Sequence, residues 1–258
     1  MIEQFYRPES VQQALELKRQ FLDEAVYFGG GSKLNATPTK TEKKIAIALT
    51  QLGLDQLSWQ QGALHIGVTI PLQKLIDSTL TPPALREALG FVYSRHIRNQ
   101  ATLGGEIAAA PKDSVLLPVL LALSAKVVIG DGNTLELGDY LAGAQQELLL
   151  ELVLPDPYRR CATHKVARSA AGLAVLTAAV SCDAQQKVRI ALSGVVARPS
   201  RLRDAEQMGL SGPALEKVVA EAVAPEADLC GSVAYKRYIS GVVVADLLAS
   251  CQASGGVQ

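Results

Sequence analysis

Two glycine-bearing stretches carry the residue types best suited to holding a ligand. Gly29, Gly30 and Gly31 stand in "YFGGGSKL", directly after the apolar run Ala25 to Phe28, and Gly104 and Gly105 stand in "ATLGGEIAAA". Glycine has no Cβ, so backbone N–H groups can approach an anion closely, and successive amides can form a concave nest for phosphate oxygens. Two such nests would grip a pyrophosphate. The same glycines also suit tight turns at strand ends, and spacing alone favours the turn. Neither stretch carries the G-x-G-x-x-G of a Rossmann fingerprint or the G-x-x-x-x-G-K-[ST] of a P-loop.

The remaining chemistry-bearing residues are dispersed. Cys161, Cys182, Cys230 and Cys251 lack the paired spacing of a zinc site or an iron–sulfur cluster and read as reduced thiols. His65, His96 and His164 are isolated, with no HExxH pattern. No metal site and no catalytic acid, base or nucleophile is expected. The 25 basic residues balance the 25 acidic ones, which argues against nucleic acid or an anionic membrane surface as a partner. The longest apolar runs, Val115 to Leu123 and Leu173 to Val180, are too short to span a bilayer. The N-terminal "MIEQFYRPES" has no signal-peptide pattern, so a cytoplasmic protein is expected.

The elements that must position these residues follow from periodicity. Ser10 is a candidate N-cap for a helix over "VQQALELKRQF", "EAVYF" reads as a buried strand ended by the glycines, and "KKIAIALT" as a second strand with alternating character. "LSWQQGALHIG" suggests a hairpin turning at Gln61-Gly62, and helices are expected from Pro71 and from Pro82-Pro83. Residues 98 to 115 read as a loop rich in small residues, leading into an apolar helix around Leu116 to Leu123. "AKVVIGDGNTLEL" predicts a hairpin turning over Gly130 to Asn133, and "ELVLPDP" a strand ended by prolines. Beyond a boundary near residue 157, helices around 214–224 and 232–250 are expected to cover a small sheet.

The blocks "FGGGSKL", "LHIGV", "RNQATLGGEIAAAPKDSVLLPVLLAL" and "SVAYKRYISGVVVADLL" occur in the order and spacing of the FAD-binding (medium) subunits of the molybdenum hydroxylases, the xanthine dehydrogenase and carbon monoxide dehydrogenase type. The chain resembles that family over nearly its whole length, and a small enterobacterial member most of all. The resemblance implies an α+β fold. A two-lobed FAD-binding domain is expected over 1–157, with an N-terminal α/β lobe over about 1–55 and a central mixed-sheet lobe over 56–157. A C-terminal lobe of small antiparallel sheet with helices follows over 158–258.

By the same resemblance, Gly29, Gly30, Gly31, Ser32, Lys33 and Leu34 form a first clamp on the FAD phosphates, and Thr102, Leu103, Gly104 and Gly105 a second. Glu106, Ser114 and Lys165 occupy further cofactor positions. Lys165 matches a basic position that approaches the flavin side, and a surface lysine is the alternative. Phe91 lies near where the family places an aromatic against the flavin ring, or else packs its helix. The chain departs from the family at four places: Ser32-Lys33 replaces Thr-Asp, Glu106 replaces Asn, and Val115 and Gly172 each stand where the family has aspartate. Each lost carboxylate removes orienting hydrogen bonds worth about 0.5 to 1.5 kcal/mol.

The resemblance implies an electron-transfer flavoprotein subunit, not catalytically complete alone. Its implied partners are a molybdopterin-binding large subunit and a [2Fe–2S] small subunit, with an acceptor such as NAD. The missing acidic positions motivate an alternative, a non-catalytic assembly subunit that keeps the fold and binds FAD weakly or not at all. An independent flavin reductase is a third reading, and nothing in the sequence marks its nicotinamide site.

Overall fold

The computed structural model describes residues 2–36, 42–143 and 147–253. In chain order it begins with strand β1 (Gln4–Tyr6), helix α1 (Val11–Phe21), β2 (Ala25–Phe28), α2 (Ser32–Ala36), β3 (Ile45–Ala48), β4 (Leu57–Gln60) and β5 (Ala63–Gly67). Five helices follow: α3 (Leu72–Asp77), α4 (Pro83–Gly90), α5 (Arg95–Gln100), α6 (Leu103–Ala109) and α7 (Leu117–Ala122). Then come β6 (Lys126–Ile129), β7 (Thr134–Glu136), α8 (Leu137–Ala142) and β8 (Leu149–Leu154). The chain ends with β9 (Arg160–Ala167), β10 (Ala174–Cys182), β11 (Val188–Ser193), β12 (Ser200–Arg201), α9 (Arg203–Gln207), α10 (Gly212–Ala222) and α11 (Val233–Ala253).

These elements form two compact units, each discontinuous in sequence. Residues 1–80, 94–109 and 126–153 make the first, and residues 81–93, 110–125 and 154–258 the second. The boundary near 157 therefore separates them only in part. The physical reason is α7, whose six residues are all buried. It is fastened within the second unit, where the Ser181 hydroxyl donates to the Ala122 carbonyl and the Ser193 hydroxyl to the Ser114 carbonyl, both at 2.6 Å.

In the first unit, a three-stranded sheet has the order β1-β3-β2 with both pairings parallel. All four residues of β3 are buried, so the expected alternation does not occur. A central strand of a parallel sheet is covered on both faces. Helix α1 starts where expected: the Ser10 hydroxyl accepts from the Gln13 amide at 3.2 Å. Its apolar face packs Ala14 against Ala25, Ile45, Ile47 and Leu148, and the rings of Tyr6 and Phe21 lie 5.2 Å apart beside them. Each fully buried aliphatic side chain here stabilises the unit by about 1.5–3 kcal/mol.

The first unit's second sheet has the order β4-β5-β8-β6-β7. Its first hairpin turns at Gln61 (φ 49°) and Gly62 (φ 80°), two left-handed residues that fit the type I′ turn of a two-residue loop. The expected second hairpin pairs β6 with β7, its turn closed by the Ile129 amide on the Asn133 carbonyl at 2.9 Å. Across β5 and β8, His65 Nδ1 lies 2.9 Å from Glu151 Oε2.

The stretch expected to be a loop from 98 to 115 is largely helical, as α5 and α6. Each helix has a hydroxyl at its start: Ser94 accepts from the Ile97 amide at 3.5 Å and Thr102 from the Gly105 amide at 3.2 Å. Capping offsets the poor helix propensity of the glycine pair, and the alanines that follow are the best helix formers.

The second unit holds an antiparallel sheet in the order β12-β11-β10-β9. Every residue of β10 is buried, and α10 and α11 pack Leu215, Val219, Val244 and Leu248 against Leu176, Val180 and Ile190. These helices cover the sheet as the sequence suggests. Lys236 on α11 is 3% exposed. Its ammonium meets Asp228 Oδ2 at 2.7 Å and the Glu226 carbonyl at 2.9 Å, pinning the segment before α11.

Candidate cofactor site

The chain leaves β2 at its carboxyl end through Gly29, Gly30 and Gly31 before entering α2. In open parallel sheets this end of the strands is where ligands bind. A cleft of about 290 Å³ opens there within the first unit, walled by the glycine loop, Ser32 to Leu34, Val68-Thr69, Thr102, Gly104, Gly105 and Leu148-Leu149. That volume is close to the lower end of small-molecule pockets, about 300 Å³.

The glycines are explained by close approach as well as by turning. A Cβ on Gly30 would fall 1.6 Å from the Gln100 carbonyl oxygen, and one on Gly29 would fall 2.6 Å from Thr102 Oγ1. Gly31 has φ +72°, which favours glycine. The loop therefore lies directly against the α5–α6 junction, and a side chain at Gly29 or Gly30 would push the two apart. Among the described residues, the amides of Gly29, Gly30 and Gly31 meet no protein acceptor. They are donors held in place by packing, the arrangement an anion needs.

The second glycine pair works differently from the expectation. The Leu103 amide donates to the Ile70 carbonyl at 3.1 Å, the Gly104 amide to the Val68 carbonyl at 2.8 Å, and the Gly105 amide to the Thr102 hydroxyl. None of these three is left for a phosphate. Gly104 lacks a side chain because a Cβ would stand 2.6 Å from Val68 Cβ, so it lets α6 seat against the segment after β5. Leu103 is fully buried in the core and does not line the cleft. Gly105, exposed, presents a flat wall, and Thr102 supports both glycine segments at once.

Several other expected residues lie away from this wall. Glu106 and Ser114 are not among the residues lining the cleft. Ser114, 2% exposed, accepts from the Leu116 and Leu117 amides at 3.2 and 3.1 Å and so caps α7 in the second unit. Lys165, also in the second unit, donates to the carbonyls of Ala170 at 3.1 Å and Phe91 at 3.4 Å. Burial lowers its pKa below the ordinary 10.5.

Conversely, the cleft includes residues that local sequence gave no reason to select: Lys18, Asp23, Tyr27, Lys43 and Glu147. Lys18 closes the end of α1 by donating to the carbonyls of Leu22 at 2.7 Å and Ala25 at 2.8 Å. Burial, then the charge of Lys43, depress its pKa. Lys43 in turn donates to the Asp23 carbonyl at 2.6 Å. Burial pushes the Tyr27 hydroxyl up to about 12, so it stays a neutral donor near neutral pH. The place of Lys18 near a helix C-terminus, where cations are favoured, accounts for its work at the end of α1 and carries no sign of the cleft.

A glycine cradle outside the carboxyl end of a parallel strand, with donors lacking acceptors and a cap hydroxyl behind it, defines a nucleotide-binding domain. Residues 1–157 match the family described as FAD binding domain in molybdopterin dehydrogenase. The chain belongs to that family, and its cofactor is FAD. It is 61% identical over 99% of its length, and 98% of the relative's, to the Escherichia coli K12 protein designated uncharacterized protein YgfM. It is 27% identical to the caffeine dehydrogenase subunit beta of Pseudomonas sp. CBB1, over 81% of this chain and 78% of the other. Its fold matches a chain of the carbon monoxide dehydrogenase of Hydrogenophaga pseudoflava with a TM-score of 0.89, at 23% identity over 98% of each. The mixed α and β architecture expected from the sequence is thus the fold of that solved chain. The cleft residues fit the cofactor: the glycine loop is held against the α5–α6 junction by close packing, lines the cleft, and keeps its amides unspent.

Proposed function

We propose that this chain is the FAD-bearing electron-relay subunit of a heteromeric molybdenum-containing dehydrogenase or reductase. In this reading it works in the cytoplasm between [2Fe–2S] clusters on a small partner subunit and an acceptor such as NAD. A molybdopterin-binding large subunit handles the substrate. FAD, when bound, takes up and releases electrons, while the protein sets its position and surroundings. The residues assigned to it are Gly29, Gly30, Gly31 and Ser32 as donors to the phosphates. Thr102 and Gly105 are assigned as the wall that keeps those donors in register.

The observation that carries the proposal is the set of three amides without acceptors beside a cleft, in a chain whose family is described by molybdopterin dehydrogenases. Among the described residues no group of three or more His, Cys, Asp or Glu is placed to hold a metal, and no helix is long and apolar enough to cross a membrane. The reading therefore assigns the iron–sulfur and molybdenum centres to partner chains. The test is affinity purification of the tagged chain from its native host, with flavin, iron and molybdenum analysis of what comes with it. The proposal expects FAD together with an iron–sulfur protein and a molybdenum protein. A chain recovered with FAD but without either metal protein contradicts the relay assignment.

A further inference from the structure

The cleft holds three lysines, and they are not equivalent. Lys18 is engaged by the carbonyls of Leu22 and Ala25, and Lys43 by that of Asp23. A neighbouring hollow of about 420 Å³ shares Lys18, Asp23, Tyr27, Glu147 and Leu148 with the cleft but none of the glycine loop. Lys18 and both carboxylates therefore mark the end of the cleft that adjoins this hollow and not the glycines, and Lys43 is tied to the same end through the Asp23 carbonyl. Lys33 is different. It lies one residue into α2, two residues after Gly31, lines the cleft and is exposed. Among the described residues its ammonium meets no carboxylate or carbonyl, and Glu106 does not line the cleft with it.

We infer that the Lys33 ammonium is a phosphate contact, a cation added by this chain to a cradle that otherwise works through backbone amides. The inference rests on the FAD reading of the cleft and adds to it a charge-assisted contact to the pyrophosphate. Its chemistry follows from the spent second clamp. With the amides of Leu103, Gly104 and Gly105 consumed internally, the dianionic pyrophosphate is left to the neutral donors of Gly29 to Ser32, with no charged group among them. A flexible ammonium beside them can follow either phosphate, because Lys binds as a point charge and needs no fixed fork geometry. Since Lys33 is exposed, its contribution is modest and screened by salt.

The test is titration of the flavin-free chain with FAD, followed by fluorescence anisotropy, for the wild type, Lys33→Met and Lys33→Arg at about 20 mM and about 500 mM salt. ADP, followed by competition or thermal shift, is a flavin-free probe of the same phosphates. The expected result is that Lys33→Met weakens both ligands about three- to tenfold at low salt. The gap narrows at high salt, Lys33→Arg stays near wild type, and the unliganded Tm does not change. Equal binding by Lys33→Met and wild type at low salt overturns the inference, as does a gap that salt leaves untouched. If wild type itself binds neither FAD nor ADP, the cradle reading falls and takes this role with it, whereas wild-type binding with an unaffected Lys33→Met overturns the role alone.

Discussion

Replacing Gly30 by alanine tests the cradle where it is tightest. The new Cβ would begin 1.6 Å from the Gln100 carbonyl oxygen, whereas ordinary contact starts at 3.4 Å. The loop and the α5–α6 junction must therefore separate by about 1.8 Å, and the obstacle is backbone, which cannot swing aside like a side chain. Overpacking of this kind costs about 1–3 kcal/mol of stability. The displacement also moves the donor amides of Gly29 to Gly31. Losing two such hydrogen bonds, at about 0.5 to 1.5 kcal/mol each, weakens FAD roughly 5- to 150-fold. The assay pairs FAD anisotropy titration with thermal unfolding of the unliganded chain. Gly90→Ala is the control, since nothing stands within 4 Å of its added Cβ; it should bind normally and gain up to about 1 kcal/mol by stiffening the unfolded chain. If Gly30→Ala binds FAD within about twofold of wild type with an unchanged Tm, the close-packed cradle is refuted.

Ser114→Ala should cost about 1–3 kcal/mol of stability through the two α7 amides it leaves uncapped, with FAD affinity per folded chain unchanged; lost affinity at unchanged Tm would restore a cofactor role. The Lys236 ammonium holds the Asp228 carboxyl below its ordinary 3.8, so the pair's contribution is complete above that pH and fades as pH falls through the lowered value. Asp228→Asn should accordingly melt below wild type by a constant margin between about pH 5 and 7, with the curves converging in stronger acid; a margin that persists there would be contradictory. Burial pushes the Cys251 thiol up to about 11 and raises Cys182 as well. In the native chain at about pH 8, both should resist thiol reagents and react only on unfolding; rapid native labelling would show that this core is open.

Local features of the fold were legible where chemistry is local. Gln61-Gly62 announced its hairpin because few residues accept two left-handed turn positions, and Ser10 announced α1 because a hydroxyl at that point satisfies a free amide. Two readings failed because the deciding partner is distant in sequence. Gly104-Gly105 looked like a loop, yet Gly104 is needed for contact with Val68 and the helix is rescued by Thr102. The strand over 45–48 looked half exposed, yet β1 and β2 flank it and both faces are covered. The site divides the same way. The first glycine run stood out in the sequence as a candidate, read as a turn by spacing and as a phosphate clamp by resemblance, whereas Lys18, Tyr27 and Glu147 reach the cleft only through the folding of α1, β2 and the approach to β8. Ser114 matched a cofactor position by motif, and only its two amide partners reveal its work at α7.

The most direct measurement of the central claim is the flavin content of the purified chain: its absorbance spectrum, then heat release and chromatography of the flavin against FAD and FMN. The account predicts FAD, approaching one per chain after incubation with excess cofactor. A colourless chain that takes up no FAD at tens of micromolar would contradict it and favour an assembly subunit that has kept only the fold.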